Sequence, residues 1–293
     1  MKKAILCLVA VLGLALASNT AQATTVTVLD GGTGSGSSFA AHEWPGYTVT
    51  DFKNNLTNND FIGIPNIVSG SFTINSSVLS QISFKLDVSN NPGWWTADKL
   101  MPGDIFIKLN NGDLSSNPTW DYIIHNTTAT VSNATYRELL QPGANVTNLD
   151  GKTTWSVYNV SGMGFNYNDS SQWNNYVMSG VFNTTGPQGG YIWRDGHPVE
   201  AKDSALPSSS IGSASLTGWN FFPSNPADIE AIWNLGQGIN LGNAKDILVA
   251  WGPSCDNDVY FENVAVPNPE PGTVLLMGIG AAGVAFLRRR RNS

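Results

Sequence analysis

Residues 82–88 read Ile-Ser-Phe-Lys-Leu-Asp-Val, and that alternation constrains the fold more than any other feature of the chain. Side chains along a strand point to opposite faces with a period of two. Ile82, Phe84, Leu86 and Val88 must therefore share a buried face, while Ser83, Lys85 and Asp87 face water. Ile105, Ile107 and Leu109 repeat the pattern just after Pro102-Gly103, a turn signal. Thr25-Val26-Thr27-Val28 gives a shorter version near the start. Further strands are expected at 47–52, 70–74, 119–124, 135–140, 153–160, 176–182, 214–221, 246–251 and 258–264. Turn residues such as Asn110-Asn111-Gly112, Pro142-Gly143 and Gly189-Gly190 separate them.

Many short strands punctuated by turns predict an all-β fold, an antiparallel β-sandwich of jelly-roll style. One short helix is expected near 226–235. Asn225 would cap it, Pro226 would take its first position, and Asp228 and Glu230 would sit at its positive end.

The two ends of the chain differ from this core. Met1-Lys2-Lys3 precedes the uncharged run 4–17, and Ala21-Gln22-Ala23 places small residues where a signal peptidase cuts. Residues 1–23 therefore read as a secretory signal peptide, with Ala21 and Ala23 defining the cleavage site. The β-rich core is expected over 24–265. A Pro-rich linker follows at 266–271, and an apolar segment with an arginine tail at 272–293.

Between the two ends, nine basic side chains face 22 acidic ones, a net charge of −13. Such a surface repels phosphate backbones, so nucleic acid is not an expected partner. Cys7 leaves with the signal peptide and only Cys255 remains, so no intrachain disulfide can support the fold. Ten tryptophans, all within the core, are available to do so by packing.

Gly278-Ile279-Gly280-Ala281-Ala282-Gly283 fits a dinucleotide fingerprint in letters only. That fingerprint needs a strand before it and a βαβ unit around it, and here a Pro-rich segment precedes it. The uncharged stretch 272–287 would instead span about 24 Å as a helix, close to the thickness of a bilayer core. Arg288, Arg289, Arg290 and Arg291 would hold its end in the cytoplasm. Pro269-Glu270-Pro271 would be extended and accessible to a processing enzyme.

Pro-Glu-Pro, an apolar helix and a terminal arginine cluster, in that order, resemble the PEP-CTERM sorting signal of Gram-negative bacteria. The resemblance spans Pro269 to Arg291. It implies export through the inner membrane by the Sec machinery, transient anchoring, and recognition by exosortase, which would cut near Pro269, Glu270 and Pro271. It also implies a destination at the cell surface or in the matrix, with exopolysaccharide, biofilm or floc as its surroundings. Trp120-Asp121-Tyr122, residues 194–198 and residues 251–259 are similar to a group of exported PEP-CTERM proteins, a likeness that brings no activity with it.

Sites for chemistry are sparse. Cys255 with His197 could form a thiolate–imidazole pair, but a buried inert thiol is the plainer reading. Asp256 and Asp258 lack the rest of a Ca²⁺ loop. His42, His125 and His197 show no zinc spacing, and no metal or cofactor is expected. Glu138, Asp195 and Glu200 are carboxylates that a hydrolase could use, without a pattern that selects them. Asn75, Asn126 and Asn159 are among several N-x-S/T sequons, read here as a consequence of composition. Trp94 and Trp95 follow a turn signal and could stack on sugar rings. The expected protein is a non-enzymatic surface or matrix component. A carbohydrate-binding module and a secreted hydrolase are the alternatives.

Overall fold

A computed structural model describes residues 23–30, 66–89, 101–110, 119–127, 149–165, 200–221, 223–253 and 259–267. The expected signal peptide, the strands at 47–52, 135–140 and 176–182, and the apolar tail lie outside them. The described residues form ten strands: β1 (Thr24–Leu29), β2 (Asn66–Asn75), β3 (Val78–Asp87), β4 (Ile105–Leu109), β5 (Tyr122–Asn126), β6 (Trp155–Asn159), β7 (Gly212–Thr217), β8 (Ile229–Asn240), β9 (Asp246–Trp251) and β10 (Tyr260–Ala265). A 3-10 turn, Asp203–Ala205, lies before β7. No helix among the described residues is long and apolar enough to cross a membrane.

All ten strands belong to one antiparallel sheet, in the order β1-β2-β3-β8-β7-β6-β5-β4-β9-β10. The all-β antiparallel expectation holds, but one curled, nearly barrel-like sheet takes the place of two packed sheets. Its two edge strands approach each other, with the Tyr260 hydroxyl 3.5 Å from the Val28 carbonyl oxygen. Gly70 of β2 makes room for that ring: a Cβ there would lie 2.7 Å from the Tyr260 Cζ.

The period-two pattern sends one face of every strand inward. Phe72, Phe84, Trp155, Trp233, Trp251 and Tyr260 meet there, all fully buried. Phe84 stacks on Trp251 at 4.3 Å and 8°, and the Trp219 and Trp233 rings meet Trp251 edge-on. The interior is a packed aromatic core. On the outer face a second cluster forms around Phe106, Trp120, Ile123, Leu248 and Ala250. Phe165, Ala201 and Leu206, from the connection between β6 and β7, pack into that cluster.

The expected helix at 226–235 is not formed. Asn225 instead organises a turn: its side chain accepts from the Ala227 N–H at 3.2 Å and its carbonyl from the Asp228 N–H at 3.1 Å. β8 then begins at Ile229, with Ile229, Ala231, Trp233 and Leu235 buried. The capping signals were real turn signals, and the alternation that followed decided the element. Gly236, just past the expected helix, lies within the strand. The register between β3 and β8 slips between Leu79↔Ile239 and Gln81↔Asn234. Gly238, at φ 68°, sits in that bulge, and a Cβ there would lie 2.4 Å from Val78 Cγ1.

Gly218 is another position where the backbone demands glycine. Its φ is 82°, and a Cβ would collide with the Glu230 carbonyl oxygen. Gly218→Ala is expected to destabilise the protein by about 2–3 kcal/mol. The measurement is the urea midpoint at unchanged slope, and a midpoint like that of the parent would refute the assignment.

Strand direction gives the sheet two distinct poles. Every pairing is antiparallel, so direction reverses at each step of the order. β1 and β10 stand nine steps apart and run in opposite senses. Thr24, the first residue of β1, and Ala265, the last of β10, therefore lie at the same pole. Hydrogen bonds tie this terminal pole together: Leu241 N–H to Ser77 O at 2.8 Å, Val266 N–H to Lys245 O at 2.9 Å and Asn110 N–H to Asp246 O at 2.9 Å. At the opposite pole, Val88 N–H reaches Pro226 O at 2.8 Å, and Gly103 N–H reaches Gly252 O at 2.9 Å.

Candidate functional site

Among the described residues, the densest group of ionisable side chains stands at the opposite pole, on the outer face. Ile105 pairs with Ile124, so the next step along each strand brings Asp104 beside His125. Alternation turns both side chains to the face occupied by Phe106 and Ile123. The connection between β6 and β7 then crosses this face and adds Glu200, Ala201 and Asp203.

His125 is fully buried and both of its ring nitrogens face carboxylates. Nδ1 lies 2.7 Å from Asp104 Oδ2, and Nε2 lies 2.8 Å from Asp203 Oδ1. Asp104, also fully buried, accepts from the Asn126 N–H at 3.0 Å and the Ala201 N–H at 2.9 Å. The Tyr158 ring stands edge-on to the imidazole at 6.1 Å. Asp203 is the exposed member, with 58% of its side-chain surface accessible.

A neutral imidazole has one N–H to donate, and two ionised carboxylates offer none. The geometry therefore calls for an imidazolium. Burial opposes that charge, but the Asp104 carboxylate, the hydrogen bonds to Asp104 and Asp203, and the charge of Glu200 outweigh it. The His125 pKa is raised well above the ordinary histidine value of 6.5. A general base needs a free ring lone pair, and with both N–H groups donated His125 has none. The arrangement acts as an ionic clip that fastens the Glu200–Leu206 segment over the outer core.

A second buried carboxylate is held in a similar way at the terminal pole. Asp121 receives Lys108 Nζ at 3.1 Å, the Leu109 N–H at 2.9 Å and the Ser161 hydroxyl at 3.1 Å. Among the described residues no group of three His, Cys, Asp or Glu side chains is arranged to hold a metal ion.

Of the residues singled out in the sequence, the structure brings His125 and Glu200 to one place. Ala23 is exposed and stands directly before β1. Asn126 is fully buried, which removes it as an acceptor for glycosylation of the folded chain. Trp120, Trp155, Trp219, Trp233 and Trp251 are core residues. Ala21, His42, Trp94, Trp95, Glu138, Asp195, His197, Cys255, Asp256 and Asp258 lie outside the described residues. Trp94 and Trp95 belong to the connection from β3 to β4, whose two ends are at the opposite pole.

The sorting residues Pro269, Glu270, Pro271 and Arg288 to Arg291 also lie outside the described residues, just past the end of β10. A family model describing the PEP-CTERM protein-sorting motif matches residues 269–291. The chain carries a PEP-CTERM sorting motif. The match has the boundaries read from the order of prolines, apolar run and arginines. PEP-CTERM motifs imply export, a transient stay in the membrane, and processing by exosortase. No curated protein and no solved structure matches the chain. For this PEP-CTERM chain the addressing segment is thus assigned by its motif, and the β-rich cargo by its own geometry.

Proposed function

We propose that this PEP-CTERM protein is a non-enzymatic component of the cell surface or extracellular matrix, released from the membrane by exosortase and associated with exopolysaccharide. The observation that carries the reading is the sorting motif at 269–291. The core supports it in two ways. Its buried imidazole has both ring nitrogens engaged, and its described tryptophans are used in packing. Both features suit a durable scaffold. The uncharged segment 272–287 retains the precursor in the bilayer, and Arg288 to Arg291 fix its orientation. Pro269, Glu270 and Pro271 keep the chain extended where the enzyme cuts.

Fractionation with intact-mass analysis tests the processing step. The secreted species is expected to lack Arg288 to Arg291. Replacing Pro269, Glu270 and Pro271 with alanine should hold the full-length tail in the membrane fraction. A secreted protein that retained the four arginines would overturn the reading. A carbohydrate-binding role is the second reading. It rests on Trp94 and Trp95 and on the position of their connection, and loss of exopolysaccharide binding in Trp94→Ala and Trp95→Ala variants would favour it.

A further inference from the structure

We infer that the terminal pole of the barrel-like sheet is a membrane-apposed surface, held against the lipid headgroups until the tail is cut. The inference rests on the sorting reading and adds to it a defined orientation of the cargo.

Three observations carry it. First, Thr24 and Ala265 lie at one pole, so the segments on both sides of the core leave it in the same place. Second, the chain between the core and the apolar run is short. Val266 is still fastened to the sheet through Lys245. Only residues 267–271 remain before the uncharged stretch begins at Gly272. Fully extended, five residues reach about 17 Å, which is less than the roughly 25 Å length of a ten-residue strand tilted in a barrel. The opposite pole therefore cannot turn to the membrane without pulling on this tether.

Third, the surface suits close approach. Two of its connections are tight turns, Ser76–Ser77 and 241–245, and neither contains an acidic residue. The exposed Lys245 offers anionic headgroups a positive charge at this pole. Asp121, which also belongs to this pole, is buried and paired with Lys108. The connections 30–65, 88–104 and 127–154 begin and end at the opposite pole, while 110–121 and 160–211 begin and end at this one.

The test uses the full-length precursor, purified from a host without exosortase and reconstituted in vesicles of phosphatidylethanolamine and phosphatidylglycerol carrying spin-labelled headgroups. Single cysteines for a fluorophore are placed at exposed turn positions, Asn243→Cys at the terminal pole and Ser224→Cys at the opposite pole, in a Cys7→Ser, Cys255→Ser background. Quenching at Asn243→Cys should exceed that at Ser224→Cys by at least about twofold, given a pole-to-pole distance of roughly 25 Å. Equal or reversed quenching on vesicle-bound protein overturns the orientation and leaves the sorting reading intact. Precursor that fails to float with the vesicles overturns the anchoring itself, and the orientation with it. Near-ultraviolet circular dichroism of both variants confirms that the core is folded before quenching is read.

Discussion

His125→Leu is expected to destabilise the protein by about 3–5 kcal/mol, because it leaves the Asp104 carboxylate buried without its counter-charge. Asp104 retains the Asn126 and Ala201 N–H donors, which limit the loss without cancelling it. A double-mutant cycle separates this from simple loss of packing. Asp104→Asn combined with His125→Leu should cost less than the two single losses added, since the orphaned charge is then absent. Strict additivity would show that the two side chains do not act as a pair.

The same clip gives the stability a pH dependence of known sign. The pKa of His125 is raised in the folded state. Its contribution is therefore complete below the unfolded value near 6.5 and is lost as pH rises through the folded value. Alkaline titration should lower the stability of the parent protein, and His125→Gln should flatten that limb. When the ring loses a proton, the remaining N–H stays with the better-buried Asp104. Nε2 then presents a lone pair to Asp203, so the Asp203–Ala205 turn is the part that loosens.

Trp251→Ala should cost a comparable amount, about 3–5 kcal/mol. Its ring is stacked on Phe84, meets Trp219 and Trp233 edge-on, and donates from Nε1 to the Gly103 carbonyl at 3.1 Å. Truncation leaves a cavity inside a sheet whose strands cannot close on it without breaking their ladders. Trp251→Phe should recover part of the loss by refilling the stack, while leaving the Gly103 carbonyl unbonded. Thermal or urea unfolding decides the point, and a Trp251→Ala midpoint within error of the parent would show that the aromatic interior is not a cooperative unit.

The sequence made the alternating strands legible because their pattern is local. Residues 82–88 and 105–109 can be assigned without knowing their neighbours, and both are strands. β8 was misread because Asn225, Pro226 and Asp228 serve equally well in a turn before a strand. Ile232, placed beside Ala231 and Trp233, blurred the alternation. Whether strands form two layers or one rolled sheet depends on pairing across the chain, which no local pattern records. The clip at His125 escaped for the same reason. Its members come from β5, from the residue before β4 and from a segment some 78 positions later. A fourth expected feature, the sorting motif, was readable because it is linear and is recognised as sequence.

The place of β8 in the sheet also sets a clock on the folding of the exported chain. β1, β2 and β3 follow one another and can pair as soon as they emerge. The next partner of β3 is β8, and the hydrogen bond from Gln81 to Asn234 joins residues 153 positions apart. Synthesis from the N-terminus at about 5–20 residues per second leaves β3 an open edge for about 8–30 seconds. During that wait Phe84 and Ile82 have no aromatic interior to enter, and the chain is most exposed to pairing with the wrong strand. The polar row of Gln81, Ser83 and Lys85 on its other face, with a lysine at its end, is the kind of guard that keeps such an edge soluble until its partner arrives.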